Sequence, residues 1–78
     1  MEKSTEEELK AHLMDTNEEF RRLATDHSAL DRQLTALEQR HHLTDSEQLE
    51  EVRLKKLKLR AKDQMMAILS RHKAQQVV

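Results

Sequence analysis

His41-His42-Leu43-Thr44-Asp45-Ser46-Glu47-Gln48 is the stretch that decides the fold. Leu43 is its one large aliphatic residue, and Thr44 is followed three positions later by Glu47. That spacing lets a threonine hydroxyl and a glutamate carboxylate each accept from a backbone N–H that the start of a helix otherwise leaves unpaired. Thr, Asp and Ser also compete for backbone hydrogen bonds outside a helix. The sequence therefore predicts a first helix ending near residue 41, a turn at about 42–46, and a second helix from about 46 to 73.

Upstream of this break, Leu9, Leu13, Thr16, Phe20, Leu23, His27, Leu30, Leu34, Leu37 and His41 follow an alternating four-three spacing. This is the heptad seam of a long amphipathic helix, with Thr16, His27 and His41 as its polar members. Two overlapping capping patterns, Ser4 with Glu7 and Thr5 with Glu8, place its start near Thr5. Carried past the break, the same register would take in Thr44, Gln48, Glu51, Lys55, Lys58 and Lys62 and bury a row of charges. A single uninterrupted helix of about 70 residues, roughly 105 Å long, is the alternative, since neither Gly nor Pro forbids it. A turn that changes the phase accounts for the charges better.

Helix two carries two apolar stripes. Leu54, Leu57, Ala61, Met65 and Ile68 lie on one side, Val52, Leu59 and Met66 on another, and Leu69 falls between them. An antiparallel docking covers the first stripe with the seam of helix one, placing Leu30 opposite about Leu57 and Leu37 opposite about Leu49. The expected hairpin core is Phe20, Leu23, Leu30, Leu34, Leu37, Leu54, Leu57, Ala61, Met65 and Ile68. Val52, Leu59 and Met66 stay uncovered, and an apolar line repeating every seven residues asks for another chain. Isolated two-helix units are marginal, and burying a second face by association is the usual remedy. The expected architecture is all-α: one domain over residues 1–78, a coiled-coil-like antiparallel two-helix hairpin with a frayed C-terminal tail (Gln75-Gln76-Val77-Val78). Hairpins associate through Val52, Leu59 and Met66 into a homo-oligomeric bundle, a homodimer or tetramer.

Composition narrows the function. The 78 residues include no Gly, Pro, Cys, Trp or Tyr and a single aromatic, Phe20. Without glycine there is no phosphate-cradling loop of the P-loop or dinucleotide-binding kind. Without cysteine there is no disulfide framework, thiol nucleophile or Cys-ligated zinc, as suits a reducing compartment. The acidic start, Met1-Glu2-Lys3-Ser4-Thr5-Glu6-Glu7-Glu8, does not have the form of a signal peptide. The longest apolar run, Met65-Met66-Ala67-Ile68-Leu69, falls far short of the roughly 20 residues that cross a bilayer. A cytoplasmic location is expected.

Charge is divided along the chain. Residues 1–50 hold 13 acidic and 6 basic side chains, net −7, whereas 51–78 hold 2 and 8, net +6. Opposite signs on facing helices favour antiparallel docking, although each exposed pair contributes only about 0–1 kcal/mol. The second reading takes Arg53, Lys55, Lys56, Lys58, Arg60 and Lys62 as a nucleic-acid footprint. An overall pI near 6.5, the lack of aromatics between the cations and the absence of a nucleic-acid-binding motif weigh against it. A membrane partner is weaker still.

His27 sits on the seam with Asp31 one turn later, where an imidazolium–carboxylate pair is available, though a tolerated polar seam residue is the plainer account. His41 and His42 fall at the turn, diverge as neighbours do and suit capping better than chelation; His12 and His72 lack a fixed carboxylate between them. No nucleophile–base pair or pocketed carboxylate pair is present. No catalytic residue, metal or cofactor is expected, and the chain reads as a non-enzyme.

Phe20, Leu23, His27, Leu30-Asp31, Leu54-Lys55-Lys56, Lys58-Leu59, Lys62-Asp63 and Met65 together resemble the small bacterial YdcH-like family over about residues 20 to 69. The resemblance implies a short cytoplasmic bacterial protein folded as a helical hairpin, and the family has no known function. Leu57, Ala61 and Gln64 depart from its usual pattern, and the turn carries no distinctive motif. The arrangement of signs at His27, Asp31, Lys55, Lys56, Lys58, Lys62 and Asp63 marks these residues as the candidate partner surface, since solubility alone does not require it. The expected function is a non-enzymatic protein–protein interaction module, with an accessory nucleic-acid-binding protein using residues 53–62 as the alternative.

Overall fold

The computed structural model describes residues 2–76, with side-chain surroundings described over 6–74. The protein is all-α: α1 spans Glu2–Thr16, α2 spans Glu18–Glu38 and α3 spans Asp45–Gln76, with no strand among the described residues. The expected first helix is two helices. Asn17 adopts an extended backbone (φ −115°, ψ 107°), and its side chain accepts a hydrogen bond from Phe20 N at 2.9 Å. Glu18 and Glu19 follow in the first turn of α2, where the positive end of the helix dipole favours carboxylates. Arg21 closes the other side of the break, donating from Nε to the Met14 carbonyl at 2.8 Å and from Nη2 to the Asp15 carbonyl at 2.9 Å. Carbonyls that end α1 without a helical partner are thereby satisfied.

α1 begins at Glu2, ahead of the expected start at Thr5, because neither Gly nor Pro stops the helix from running toward the terminus. Ser4 and Thr5, expected as caps, therefore lie within the helix, and their side chains are outside the described residues. α2 ends at Glu38, three residues earlier than expected, with Gln39 N–H donating to Thr35 O at 3.0 Å and Arg40 N–H to Leu37 O at 3.2 Å. α3 starts with the reciprocal pair read from the sequence: Thr44 N–H donates to Glu47 Oε1 at 2.9 Å, and Glu47 N–H donates to Thr44 Oγ1 at 3.1 Å. The Arg40 guanidinium also binds Glu47 and ties the end of one helix to the start of the next. Thr44 and Glu47 supply the cap that His41 and His42 were expected to help make; both histidines are exposed. α3 continues through Gln75 and Gln76 instead of fraying in the low seventies, and Val77 and Val78 lie outside the described residues.

α3 packs along α2, and the ion pairs give the direction: Asp31 meets Lys58, Glu38 meets Lys55 and Glu6 meets Lys73. As the residue number falls on one side it rises on the other. The long dimension of 53 Å is close to that of α3 alone, whose 32 residues span about 48 Å at 1.5 Å each.

The main buried cluster lies where α1 and the start of α2 meet the C-terminal half of α3, and Leu34, Leu54 and Ala61 extend the core along the α2–α3 contact. Leu9, Leu13, Phe20, Ile68 and Leu69 form one buried cluster, with Leu23 and Met65 packed against it. Leu13 is fully shielded, at 0% exposure. Of the ten residues expected in the core, Phe20, Leu34, Leu54, Ala61 and Ile68 are buried, and Leu23, Leu30, Leu37, Leu57 and Met65 are half-buried. Leu9 and Leu13 of α1 and Leu69 of α3 join them in the cluster with Phe20 and Ile68. Leu49 does not face Leu37: it is 73% exposed, and Leu37 shares a groove with Leu54 and Glu50.

Candidate functional site

Val52, Leu59 and Met66 recur every seven residues on α3, close to two full turns, so their side chains stack along one stripe. They are 49%, 59% and 45% exposed. Beside this stripe runs a groove of about 680 Å³. Its floor is Leu34 of α2 with Leu59, Met65 and Met66 of α3, and Lys55, Lys58 and Lys62 rim it along α3 while Lys10 approaches from α1. His27 and Glu38 complete its α2 side. An apolar floor inside a mostly cationic rim is the most distinctive surface of the described residues.

The cations are held differently. Lys58 Nζ donates to Asp31 Oδ1 at 2.5 Å, and this hydrogen bond and charge hold the Asp31 carboxyl below its ordinary value. The expected partner of Asp31, His27, contributes only a minor further lowering; Lys58, arriving from another helix, displaces it as the main interaction. Lys55 is a looser partner of Glu38 at 3.8 Å, and Lys10 stands 4.0 Å from Glu6. Lys62 forms no ion pair among the described residues.

Of the seven residues expected to form the partner surface, the fold brings His27, Lys55, Lys58 and Lys62 to the groove and sets Asp31 against its rim. Lys56 and Asp63 are exposed but do not line it. Lys10, Leu34, Glu38 and Met65 belong to the groove without having been placed on a partner surface. The signal that was available for Leu34 and Met65 is their position at the edge of the two facing apolar stripes. Lys10 carried no such signal, since its neighbours in the groove all lie on α2 and α3, far from it in sequence.

Two smaller grooves flank the α2–α3 contact. One is lined by Leu23, Leu30 and Leu57 with Asp26 and Arg60, and the other by Leu37 and Leu54 with Arg40 and Glu50. Glu50 is engaged by Arg53, which holds its carboxyl below the ordinary range while the guanidinium is pushed further up. Among the described residues no three His, Cys, Asp or Glu side chains gather as a metal site, and no helix is long and apolar enough to cross a membrane.

The family model described as "Protein of unknown function (DUF465)" matches residues 20–69. The chain belongs to this family. The DUF465 match begins at Phe20 in the first turn of α2 and ends at Leu69 of α3, so it contains the whole stripe and every groove residue named above except Lys10. α1 lies outside it. No curated protein and no solved structure matches the chain.

Proposed function

We propose that this DUF465 member is a non-enzymatic protein–protein interaction module: an antiparallel helical hairpin that presents the α3 stripe and its adjoining groove to another polypeptide. The observation that carries the reading is the exposure of Val52, Leu59 and Met66 in one line on a chain whose other described surface is mostly charged. Contiguous exposed apolar surface is costly in water and marks contact sites. Shape and charge complementarity supply the specificity, with no bond made or broken. A cytoplasmic site of action belongs to the same proposal.

Self-association into a homodimer or tetramer of hairpins is one form of this reading, in which the second polypeptide is another copy. Sedimentation equilibrium of the pure protein over a range of concentrations reads that form directly. The broader test is native size. In a gently clarified extract of its own cells, the protein should elute well ahead of an elongated 9.2 kDa monomer, and Leu59→Asp should return it to the monomer position. Wild-type protein that elutes as a monomer contradicts the proposal.

A nucleic-acid partner for Arg53, Lys55, Lys56, Lys58, Arg60 and Lys62 is the second reading, supported by six cations within ten residues of α3. It predicts a mobility shift that weakens steeply between about 50 and 200 mM salt. It also predicts that nuclease treatment shrinks the native particle.

A further inference from the structure

From the groove's chemistry, we infer that its occupant is an acidic amphipathic helix from a different protein. The inference rests on the interaction reading above and names the partner's chemistry.

Lys55, Lys58 and Lys62 are three and four residues apart on α3, which sets one cation per helical turn along the rim. A partner helix whose carboxylates recur every three or four residues meets that row in register. The groove runs from Lys55 to Met66, twelve residues of α3 whose eleven steps span about 16 Å, which is three turns of a docked helix. The floor of Leu34, Leu59 and Met66 takes the apolar stripe between those carboxylates, and methionine adapts to side chains of irregular shape. Helix-in-groove recognition of this kind is read from anchors at i, i+3 or i+4, and i+7.

The competing occupants fit less well. A second copy offers two surfaces. Its α3 carries the same cations, so an antiparallel α3-on-α3 contact centred on Leu59 sets Lys62 against Lys56 and Lys58 against Arg60, and only Lys55 opposite a carboxylate, Asp63. Its acidic helices α1 and α2 expose a single large apolar side chain among the described residues, Met14, and have no stripe to fill the floor. A phosphate backbone pairs with the rim but leaves the apolar floor unfilled, and no exposed aromatic stands nearby to stack a base. A lipid surface is broad and flat, whereas Leu34 at the bottom of the groove is already buried.

The test uses the full chain and a fluorescein-labelled helical peptide of about 15 residues, four turns. The peptide has leucines every three or four residues and glutamates on both flanks; its twin carries lysine in place of each glutamate. Fluorescence anisotropy at about 0.1 M salt should show the wild type preferring the acidic peptide by at least tenfold. Lys55→Glu with Lys62→Glu should abolish or reverse the preference. Both lysines are exposed, and circular dichroism of the double variant confirms its helicity independently. Equal binding of the two peptides, or a preference that survives the double substitution, overturns the inference. So does tighter binding to duplex DNA or to phosphatidylglycerol vesicles, or a dimer of the pure protein that dissociates with Leu59→Asp and resists the acidic peptide. A native particle that stays large and sensitive to Leu59→Asp while the peptide fails leaves the interaction module standing without this partner; loss of both removes the two together.

Discussion

Lys58 of α3 donates a hydrogen bond to Asp31 of α2 at 2.5 Å across 27 residues of sequence. The pair marks the register of the two helices beside the groove, and it holds one rim cation while Lys62 stands unpaired among the described residues. Because both side chains are partly in water, the contribution to stability is small and screened by salt. Its structural consequence is larger. On the proposed docking, a partner carboxylate would meet Lys58 already positioned and would compete with Glu38 for the more loosely held Lys55.

Acid should loosen the molecule in a defined window. Asp31 and Glu47 are both held below their ordinary values of 3.8 and 4.5, Asp31 chiefly by the Lys58 hydrogen bond and Glu47 chiefly by the Thr44 backbone N–H. The unfolded carboxylates therefore take up protons first as pH falls, so the stability these groups contribute is complete above those values. It is lost as pH drops through the lower folded values. Urea titrations from neutral pH downward should show the fall, and Asp31→Asn with Glu47→Gln should flatten it.

The α1 contact should prove structural. Leu13→Ala removes a fully shielded side chain from the Leu9, Phe20, Ile68 and Leu69 cluster and should cost about 3 kcal/mol, read as a lower urea midpoint. Leu49→Ala, at a highly exposed position, should stay within about 0.5 kcal/mol of the wild type. Equal effects would place the core elsewhere.

The Asn17 cap should account for the break between α1 and α2. Asn17→Ala leaves the Phe20 N–H without its side-chain partner and should cost about 1 kcal/mol, whereas Asn17→Asp should be nearly neutral. Chemical denaturation followed by circular dichroism measures both. If Asn17→Ala is as stable as the wild type, the cap does not hold the break.

Much of this was legible in the residues. The Thr44–Glu47 box announced the start of α3, because a capping box is a local pattern that depends on no distant contact. The exposed line of Val52, Leu59 and Met66 followed from helical periodicity alone. The break at Asn17 was not read, although Asn before Glu18 and Glu19 is itself a helix-start signal. The heptad seam runs through Leu13, Thr16 and Phe20 without losing phase, and periodicity outweighed the cap. Without that break, Leu9 and Leu13 stay on the seam but outside the expected hairpin core, and Lys10 has no place beside the groove. The pairing of Asp31 with Lys58 in place of His27 is a tertiary choice, set by how α3 lies on α2, and spacing within α2 cannot express it.

The most direct test of the α3 surface is a photo-crosslinking scan in living cells, with a photoreactive amino acid placed singly along α3. Adducts to protein should peak at positions 52, 59 and 66 and fall at 53, 60 and 67, which are also exposed but face away from the stripe. Adducts spread evenly over all six positions, or absent at 59, would contradict an account in which Val52, Leu59 and Met66 are where another chain docks.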